Sequence, residues 1–347
     1  MNVIRYPFVP RPPWLSATLQ TMRGVRNPMR VPLPEGHWLW FPLGDGDALA
    51  AKLHWPGADV ASARPARPLA LLLHGTIGSE DDAYLRSACR ALLREGFPVL
   101  RLNLRGSRLS RSRSSSHYHI GRSEDLRDVL RDLPASLTSE GVVVAGWSLG
   151  GALVLNLLGR QAVEQEERRG LPRLLGAAAI CPPLDPAGAH RAIDRNRVLG
   201  RPMLRAYRRE VLAVPATDLT DRLRVAAKHA RSMREFEETV SAPRFGYRGY
   251  DEFVAAIRPD RVLPRIRVPT LLLAAADDPI VPAAMLRGVD WDACPAVAPV
   301  LVAGGGHCGF QDMGRGGNLA DRAIVSLFVG VAEGRVTSRP EMMPADQ

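Results

Sequence analysis

The sequence predicts an α/β fold in which helices flank a mostly parallel central sheet. Apolar runs typical of buried parallel strands occur at residues 69–73, 142–145, 269–276 and 298–302. The second run leads through a Gly-x-Ser-x-Gly turn into residues 152–158, whose composition favours a helix. With 347 residues, of which 46% are hydrophobic, the chain is long enough to bury one large core.

Ser148 stands at the apex of the Gly-x-Ser-x-Gly turn, between the second apolar run and the helix. A strand, sharp turn and helix of this kind hold a serine hydroxyl above the edge of a sheet. Gly146 and Gly150 lack side chains that would collide with the neighbouring strand and helix. The pattern therefore predicts that Ser148 is a nucleophile, and the alternative is a serine in an ordinary glycine-rich turn.

A base and an acid follow Ser148 in the order that such a nucleophile needs. Asp277 and Asp278 come directly after the third apolar run, at the strand end where sites of open α/β sheets lie. His307 follows the fourth run in a glycine-rich segment. The order Ser, Asp, His is that of the α/β-hydrolases. We expect His307 to take the Ser148 proton and a carboxylate to orient the imidazole ring.

Asp278 is preferred to Asp277 as the orienting acid. It stands four residues before Pro282, which resembles the Asp-x-x-x-Pro arrangement common after this strand in α/β-hydrolases. Asp277 is then left to cap a turn, a role for which aspartate side chains are well suited.

The first apolar run leads into a His-Gly-Thr-Ile-Gly loop that begins at His74. In α/β-hydrolases a loop at this point supplies one backbone N–H group of the oxyanion hole, and the residue after the nucleophile supplies the other. The pattern therefore predicts that Thr76 and Leu149 donate these two N–H groups. We interpret His74 as a residue that structures the loop rather than as a base.

Four stretches resemble the motifs of one subfamily of the α/β-hydrolase superfamily, the bacterial YheT-like hydrolases and the eukaryotic ABHD1/2/3 proteins. They are residues 11–15 with 19–21, residues 103–106, residues 117–125, and residues 234–238 with 246–247. This resemblance implies the α/β-hydrolase fold and substrates that are lipid-like molecules or other acyl esters. It also implies that acyl-ester synthesis by alcoholysis on the same site is an alternative to hydrolysis.

The segment between the nucleophile and the acid lacks a clear strand pattern and includes helical, arginine-rich stretches at 192–212 and 223–240. We interpret it as a helical insertion, or cap, over the catalytic domain. The expected organisation is an N-terminal extension packing on the core (1–36), a catalytic domain (37–181 and 261–333), the cap insertion (182–260) and a tail (334–347).

The formal net charge of +10 raises nucleic acid as a possible partner. However, only Lys52 and Lys228 are lysines, and the arginines are scattered along the chain rather than grouped on one stripe. No nucleic-acid-binding motif occurs, so we expect no specific nucleic-acid partner. The best local basic patch is residues 105–113, for which a solvated loop is the simpler interpretation. Weak peripheral contact with an anionic membrane remains an alternative, and the oligomeric state stays open.

The four cysteines, Cys89, Cys181, Cys294 and Cys308, are irregularly spaced and form no Cys-x-x-Cys motif. We therefore expect reduced thiols and neither a metal nor a cofactor. The N-terminal residues 1–33 lack the apolar core of a signal peptide, and no apolar run approaches 18 residues, so a cytoplasmic location is expected.

These observations together predict a serine hydrolase that cleaves carboxylic esters or thioesters through an acyl-enzyme on Ser148. Its substrate is expected to be a small-molecule acyl ester or a lipid-like ester. The alternatives are an acyl-ester synthase or acyltransferase that works by alcoholysis on the same residues, and a catalytically silent binding protein with this fold.

Overall fold

The computed structural model describes residues 3–25, 31–57, 66–161, 170–215 and 218–340. Among these residues, nine strands form one sheet. The strands are β1 (Ile4–Tyr6), β2 (His37–Pro42), β3 (Ala48–His54), β4 (Leu69–Leu73), β5 (Val99–Leu102), β6 (Val142–Trp147), β7 (Leu174–Ile180), β8 (Thr270–Ala275) and β9 (Val297–Val302). Residues 341–347 of the expected tail lie outside the described residues.

The strand order across the sheet is β1-β9-β8-β7-β6-β4-β5-β3-β2. The seven strands from β1 to β5 in this spatial order are all parallel to their neighbours. At the other edge of the sheet, β3 is antiparallel to β5 and β2 is antiparallel to β3. The predicted, mostly parallel sheet is confirmed, and the four apolar runs form β4, β6, β8 and β9. All residues of β4, β6 and β8 are buried, as expected of parallel strands that are covered on both faces.

Strands β1, β2, β3, β5 and β7 were not predicted. For the N-terminal strand β1, the sequence indicates only an extension that packs on the core. Residues Ile4–Tyr6 pair with Val300–Val302 of β9 and extend the sheet by one parallel edge strand. Three residues, of which Arg5 is exposed, are too few to produce a recognisable periodicity.

Helices cover both faces of the sheet. They are α1 (Ala17–Val25), α2 (Ala83–Arg94), α3 (Glu124–Asp132), α4 (Ala135–Thr138), α5 (Leu149–Gln161), α6 (Pro186–Arg195), α7 (Gly200–Ala213), α8 (Asp221–His229), α9 (Met233–Phe236), α10 (Ala242–Arg244), α11 (Tyr250–Ile257) and α12 (Leu319–Ala332). The predicted helix at 152–158 lies within α5, which begins directly after Ser148.

Side chains of β4 alternate between two separate hydrophobic cores. Leu71 and Leu73 pack in one core with buried residues of α3, α5 and the helices between β7 and β8. Ala70 and Leu72 pack in the other core, which contains the buried faces of α2 and α12. This period of two residues is what a strand between two helical layers requires.

The described part of residues 182–260 consists of helices α6–α11 and turns, without a strand. The two long helical stretches predicted here are wrong in their boundaries, because each is interrupted. The Asn196 side chain accepts the N–H groups of Val198 and Leu199, which ends α6 and sets the start of α7. The Ser232 hydroxyl accepts the N–H of Glu235 and caps α9, three residues after α8 ends.

The helices in the described ranges include none that combines the length and the hydrophobicity needed to cross a lipid bilayer.

Candidate active site

The turn between β6 and α5 holds Ser148 in a left-handed backbone conformation, with φ of 52°. A Cβ atom on Gly146 would lie 2.3 Å from the backbone of Gly150, at the start of the helix. One on Gly150 would lie 2.5 Å from the carbonyl oxygen of His74, at the end of the neighbouring strand. Both glycines are therefore required by close approach, and the sharp turn predicted around Ser148 is confirmed.

The ends of β6, β8 and β9 bring Ser148, Asp278 and His307 together. His307 Nε2 lies 2.8 Å from Ser148 Oγ, and His307 Nδ1 lies 2.8 Å from Asp278 Oδ2. These are hydrogen-bond distances, so the three side chains form one continuous chain from hydroxyl to imidazole to carboxylate. The hydroxyl of Ser148 is largely enclosed, since the residue is only 8% exposed.

The two adjacent aspartates have different positions. Asp278 contacts His307 with one oxygen, while its other oxygen accepts the N–H groups of Ile280 and Val281, each at 2.8 Å. The side chain of Asp277 instead accepts the N–H of Gly306 at 2.9 Å. Asp278 is thus the carboxylate in contact with the imidazole, and Asp277 braces the loop that carries His307.

The charge of Asp278 controls the protonation of His307. Burial by itself would lower the pKa of the His307 imidazole. The negative charge and the hydrogen bond of Asp278 outweigh burial, so that the pKa of His307 is raised above its ordinary value of 6.5. The carboxylate therefore stabilises the imidazolium that forms when the ring accepts a proton.

Two backbone N–H groups beside Ser148 have no acceptor in the described part of the chain. Within the described ranges, neither the N–H of Thr76 nor that of Leu149 donates a hydrogen bond. In contrast, the flanking N–H of Gly75 donates to the Tyr84 hydroxyl, and that of Ile77 donates to the Tyr118 hydroxyl. The loop is thus held on both sides of Thr76 while its own N–H stays available, as an oxyanion hole requires.

His74 joins the Thr76 loop to the turn after β5. Its Nε2 accepts the N–H of Leu104 at 3.0 Å, and its Nδ1 lies 2.7 Å from the carbonyl oxygen of Gly75. Burial lowers the pKa of His74 to about 4, so the ring is neutral at ordinary pH. Both ring nitrogens serve local structure, which supports the interpretation of His74 as a loop-structuring residue.

Gln20 and Thr21 of α1 hold the segment around His307, and sequence reasoning assigned them no such role. The Thr21 hydroxyl accepts the backbone N–H of His307 at 2.9 Å. The Gln20 side chain accepts the N–H of Gln311 and donates to its carbonyl oxygen. The signal that could have found them is the Leu-Gln-Thr motif at 19–21, which belongs to the family resemblance.

Burial separates Arg105 from the basic surface patch that was considered for the stretch 105–113, whereas Arg108 and Arg113 of that stretch are exposed. Arg105 is buried and makes two hydrogen bonds with Asp125, at 2.8 and 2.9 Å, besides an ion pair with Asp47. Arg111 approaches Glu210, and Arg113 stacks over the Trp40 ring. The solvated-loop interpretation is therefore wrong for Arg105, because its charge is buried and paired with carboxylates inside the protein.

Two cysteines lie behind the imidazole. The sulfur atoms of Cys181 and Cys308 and a ring nitrogen of His307 are within 4.8 Å of one another. Among the described residues, this is the one group of three side chains that could together ligate a metal ion. However, both ring nitrogens of His307 already contact Asp278 and Ser148. A metal ion held here would take the ring away from one of these partners, so the cluster does not suit a resident catalytic metal.

Two cavities of different size meet at Ser148. Cavity A, of ≈ 50 Å³, extends toward the helices of residues 182–260 and is lined in part by Leu149, Glu237 and Phe253. Cavity B, of ≈ 470 Å³, is lined in part by His307 and Ala206. The residues that line both cavities are Thr76, Ser148, Met203 and Ile280. A molecule bound at Ser148 would therefore have one small and one large compartment beside it.

A protein-family model described as an alpha/beta hydrolase fold matches residues 68–312. The matched region begins just before β4 and includes Ser148, Asp278 and His307.

Curated proteins with similar sequences agree with the subfamily resemblance. The chain is 27% identical to YheT of Escherichia coli over 87% of this chain and 86% of that protein. It is 27% identical to the phospholipase ABHD3 of Mus musculus, over 71% of this chain and 59% of that protein. It is 26% identical to the monoacylglycerol lipase of Saccharomyces cerevisiae over 62% of this chain, but spans only 49% of that lipase. The resemblance to YheT-like and ABHD proteins is confirmed, although the chain spans only about half of the length of the last two relatives, 59% and 49%.

Among solved structures, the 2,6-dihydroxy-pseudo-oxynicotine hydrolase resembles this chain in fold. The comparison covers 94% of this chain and 74% of that chain, with a TM-score of 0.57 and 17% sequence identity. At this level of identity the likeness concerns the fold and not the substrate.

Proposed function

Because this chain belongs to the α/β-hydrolase family, we propose that it is a serine hydrolase that cleaves carboxylic esters or thioesters through an acyl-enzyme on Ser148. The observation that carries this proposal is the hydrogen-bonded chain from Ser148 through His307 to Asp278. The N–H groups of Thr76 and Leu149, which have no acceptor among the described residues, support the same chemistry.

In the first half of the reaction, Ser148 Oγ attacks the carbonyl carbon while His307 Nε2 takes the hydroxyl proton. The carbonyl oxygen becomes an oxyanion, which the N–H groups of Thr76 and Leu149 bind. One such donor contributes about 3 kcal/mol of transition-state stabilisation in measured hydrolases. His307 then gives its proton to the leaving alcohol or thiol, the bond to that group breaks, and the acyl group stays on Ser148.

In the second half, His307 removes a proton from water, whose oxygen attacks the acyl carbon. The new oxyanion collapses, Ser148 regains its proton from His307, and the carboxylic acid leaves. An alcohol in place of water would form a new ester by the same steps, so alcoholysis uses the same residues.

Lipid-like or other acyl esters are the proposed substrates. The large cavity B, lined by α7 residues such as Met203 and Ala206, supports binding of an apolar group beside His307. The names of two relatives, a monoacylglycerol lipase and a phospholipase, support ester substrates as well. We further propose that residues 182–260 act as a cap on the catalytic domain formed by 37–181 and 261–333, because α7 helps to line both cavities.

A series of p-nitrophenyl esters of increasing acyl length, assayed with the purified protein, tests the proposal. We expect hydrolysis of at least one ester, and labelling of the protein by a fluorophosphonate probe that reacts with activated serines. If no ester is hydrolysed and the probe leaves the protein unlabelled, while a known serine hydrolase reacts under the same conditions, the proposal is wrong and a binding protein is favoured.

The pH dependence of ester hydrolysis should reflect the protonation of His307. Because only the neutral imidazole accepts the Ser148 proton, activity should rise with pH as His307 loses its proton. The Asp278 charge raises the pKa of His307, so the midpoint of this rise in kcat/KM should lie above pH 6.5. In an Asp278→Asn variant, the midpoint of the residual activity should move to lower pH. An unchanged midpoint would contradict this coupling.

Tyr118 is expected to act as a positioning residue for the oxyanion loop. Its buried hydroxyl accepts the Ile77 N–H at 2.6 Å and donates to Glu210 of α7 at 2.5 Å. Tyr118→Phe removes both contacts, so the loop that carries the Thr76 N–H loses one of its two supports. Because complete removal of an oxyanion donor reduces kcat by about 10²–10³-fold, we expect a displaced donor to reduce it by about tenfold.

The measurement is kcat and KM for a short neutral ester, together with thermal unfolding. A merely structural role would lower Tm and leave kcat of the folded fraction unchanged, and that result would contradict the positioning role.

A further inference from the structure

Glu237 is a buried carboxyl group whose environment the proposed mechanism does not explain. It lies on the wall of cavity A, the same small cavity that contains Ser148. The residue is only 6% exposed, and its Oε2 atom is buried without a hydrogen-bond partner among the described residues. An unpaired buried carboxyl destabilises a protein unless another group, such as a ligand, satisfies it.

Within the part of the chain that the structure describes, no opposite charge compensates Glu237 in an ion pair. None of the described basic side chains forms an ion pair with it, whereas the adjacent exposed Glu238 approaches Arg234. Burial raises the pKa of Glu237 to about 7, with the Ser241 hydroxyl opposing the rise. A carboxyl group in this state can donate or accept a hydrogen bond near neutral pH.

The backbone at Glu237 is also unusual. The residue begins a π-helical turn, Glu237–Ser241, which directly follows α9. Such turns are rare, and they occur frequently at functional sites. The wider turn therefore gives a second reason, independent of burial, to connect Glu237 with ligand binding.

The direction of proton transfer indicates which half of an ester enters cavity A. His307 must give its proton to the leaving alcohol, so the alcohol lies on the His307 side of Ser148. His307 lines cavity B and is absent from the lining of cavity A, while Leu149 lines cavity A. The acyl half is therefore directed to cavity A and the alcohol half to cavity B.

The size of cavity A limits the acyl chain. Cavity A is much smaller than cavity B, at ≈ 50 Å³ against ≈ 470 Å³ by the same measure, and so suits a shorter chain than cavity B does. Side chains such as Phe253 and Ile257 make much of its wall apolar, although His119, His190 and Tyr207 line it as well. Of the polar side chains in this wall, Glu237 is the one with a buried atom that lacks a hydrogen-bond partner among the described residues. A short chain that carries a polar group would match such a wall.

We propose that cavity A binds the acyl half of the substrate and that Glu237 forms a hydrogen bond with a hydroxyl group on it. The preferred substrates are then esters of short hydroxy acids with a larger, apolar alcohol. This inference rests on the proposed function, because it assigns the two halves of an ester that Ser148 cleaves.

The test compares p-nitrophenyl butyrate with the p-nitrophenyl esters of 2-hydroxybutyrate and 3-hydroxybutyrate. For the wild type, we expect kcat/KM for at least one hydroxylated ester to exceed that for butyrate by tenfold or more. Glu237→Met keeps a side chain of similar length without the carboxyl, so its ratio should fall to about one. Glu238→Gln, which changes the exposed neighbour, should keep the wild-type ratio.

Glu237→Gln provides a second variant in case Glu237→Met does not fold, which thermal unfolding will show. Because a neutral amide forms a weaker hydrogen bond than a carboxylate, its ratio should fall several-fold. A wild type without preference for either hydroxylated ester, or an unchanged ratio in the Glu237 variant that folds, would overturn this inference while leaving ester hydrolysis intact. If the wild type hydrolyses none of these three esters faster than Ser148→Ala but does hydrolyse esters of longer acyl chains, the inference fails and the proposed function stands. If it hydrolyses no ester of any length and the fluorophosphonate probe does not label it, both fail.

Discussion

Replacing Ser148 with alanine is expected to lower kcat for ester hydrolysis by about 10⁶-fold. Loss of the nucleophile in a serine protease has an effect of this size, since the remaining groups can no longer act together. Here Ser148 Oγ is the atom that His307 Nε2 contacts at 2.8 Å, and the alanine variant leaves the imidazole without a proton to accept. The residual rate should come from substrate binding and the oxyanion donors alone.

Steady-state kinetics with an activated ester and labelling with a fluorophosphonate probe will measure this effect. Ser112→Ala is a suitable control, because Ser112 is exposed and its hydroxyl contacts only the Leu109 carbonyl oxygen among the bonds described. The control should keep wild-type kinetics and labelling. Equal labelling of wild type and Ser148→Ala would mean that another residue is the nucleophile.

Replacing Asp278 with asparagine is expected to lower kcat by about 10⁴-fold while leaving the fold intact. The Asp278 carboxylate accepts the hydrogen bond from His307 Nδ1 and stabilises the imidazolium. An asparagine amide can donate to Nδ1 and favour the wrong tautomer, which is the reason for the loss of this size in a serine protease. One side-chain oxygen would still accept the N–H groups of Ile280 and Val281, so the local turn should persist.

Asp277→Asn is the matched control, because it makes the same replacement of a carboxylate by an amide at the adjacent aspartate. Asp277 contacts the backbone N–H of Gly306 and not the imidazole, and an asparagine oxygen can keep that contact. We therefore expect a loss of less than about tenfold. If Asp277→Asn has the larger effect and both variants have the wild-type circular dichroism spectrum, the acid has been assigned to the wrong aspartate.

Local sequence patterns predicted four of the nine strands of the sheet. Four apolar runs became β4, β6, β8 and β9, because a buried parallel strand needs a continuous apolar sequence that is visible without knowledge of its neighbours. The turn around Ser148 was equally visible, since its requirement for glycine on both sides follows from contacts within a few residues and with one adjacent strand.

Helix boundaries and the edge strand β1 were predicted less well, because they depend on contacts that compete with or add to the local pattern. The helical stretches 192–212 and 223–240 are each divided, because the side chains of Asn196 and Ser232 bind backbone N–H groups that would otherwise continue the helix. The edge strand β1 was missed because its three residues become a strand only through pairing with β9, almost 300 positions away in the chain.

The sequence by itself determined the fold class and the order in which Ser148, Asp278 and His307 occur, because strand periodicity and turn chemistry are local properties. Only the tertiary structure decided that Asp278, and not Asp277, contacts His307, since both follow the same strand and differ in which way their side chains point. It also decided that Arg105 and Glu237 are buried, although charged residues usually lie at the surface. The physical reason is that burial and long-range contacts depend on how distant segments of the chain pack. A local sequence pattern does not determine that packing.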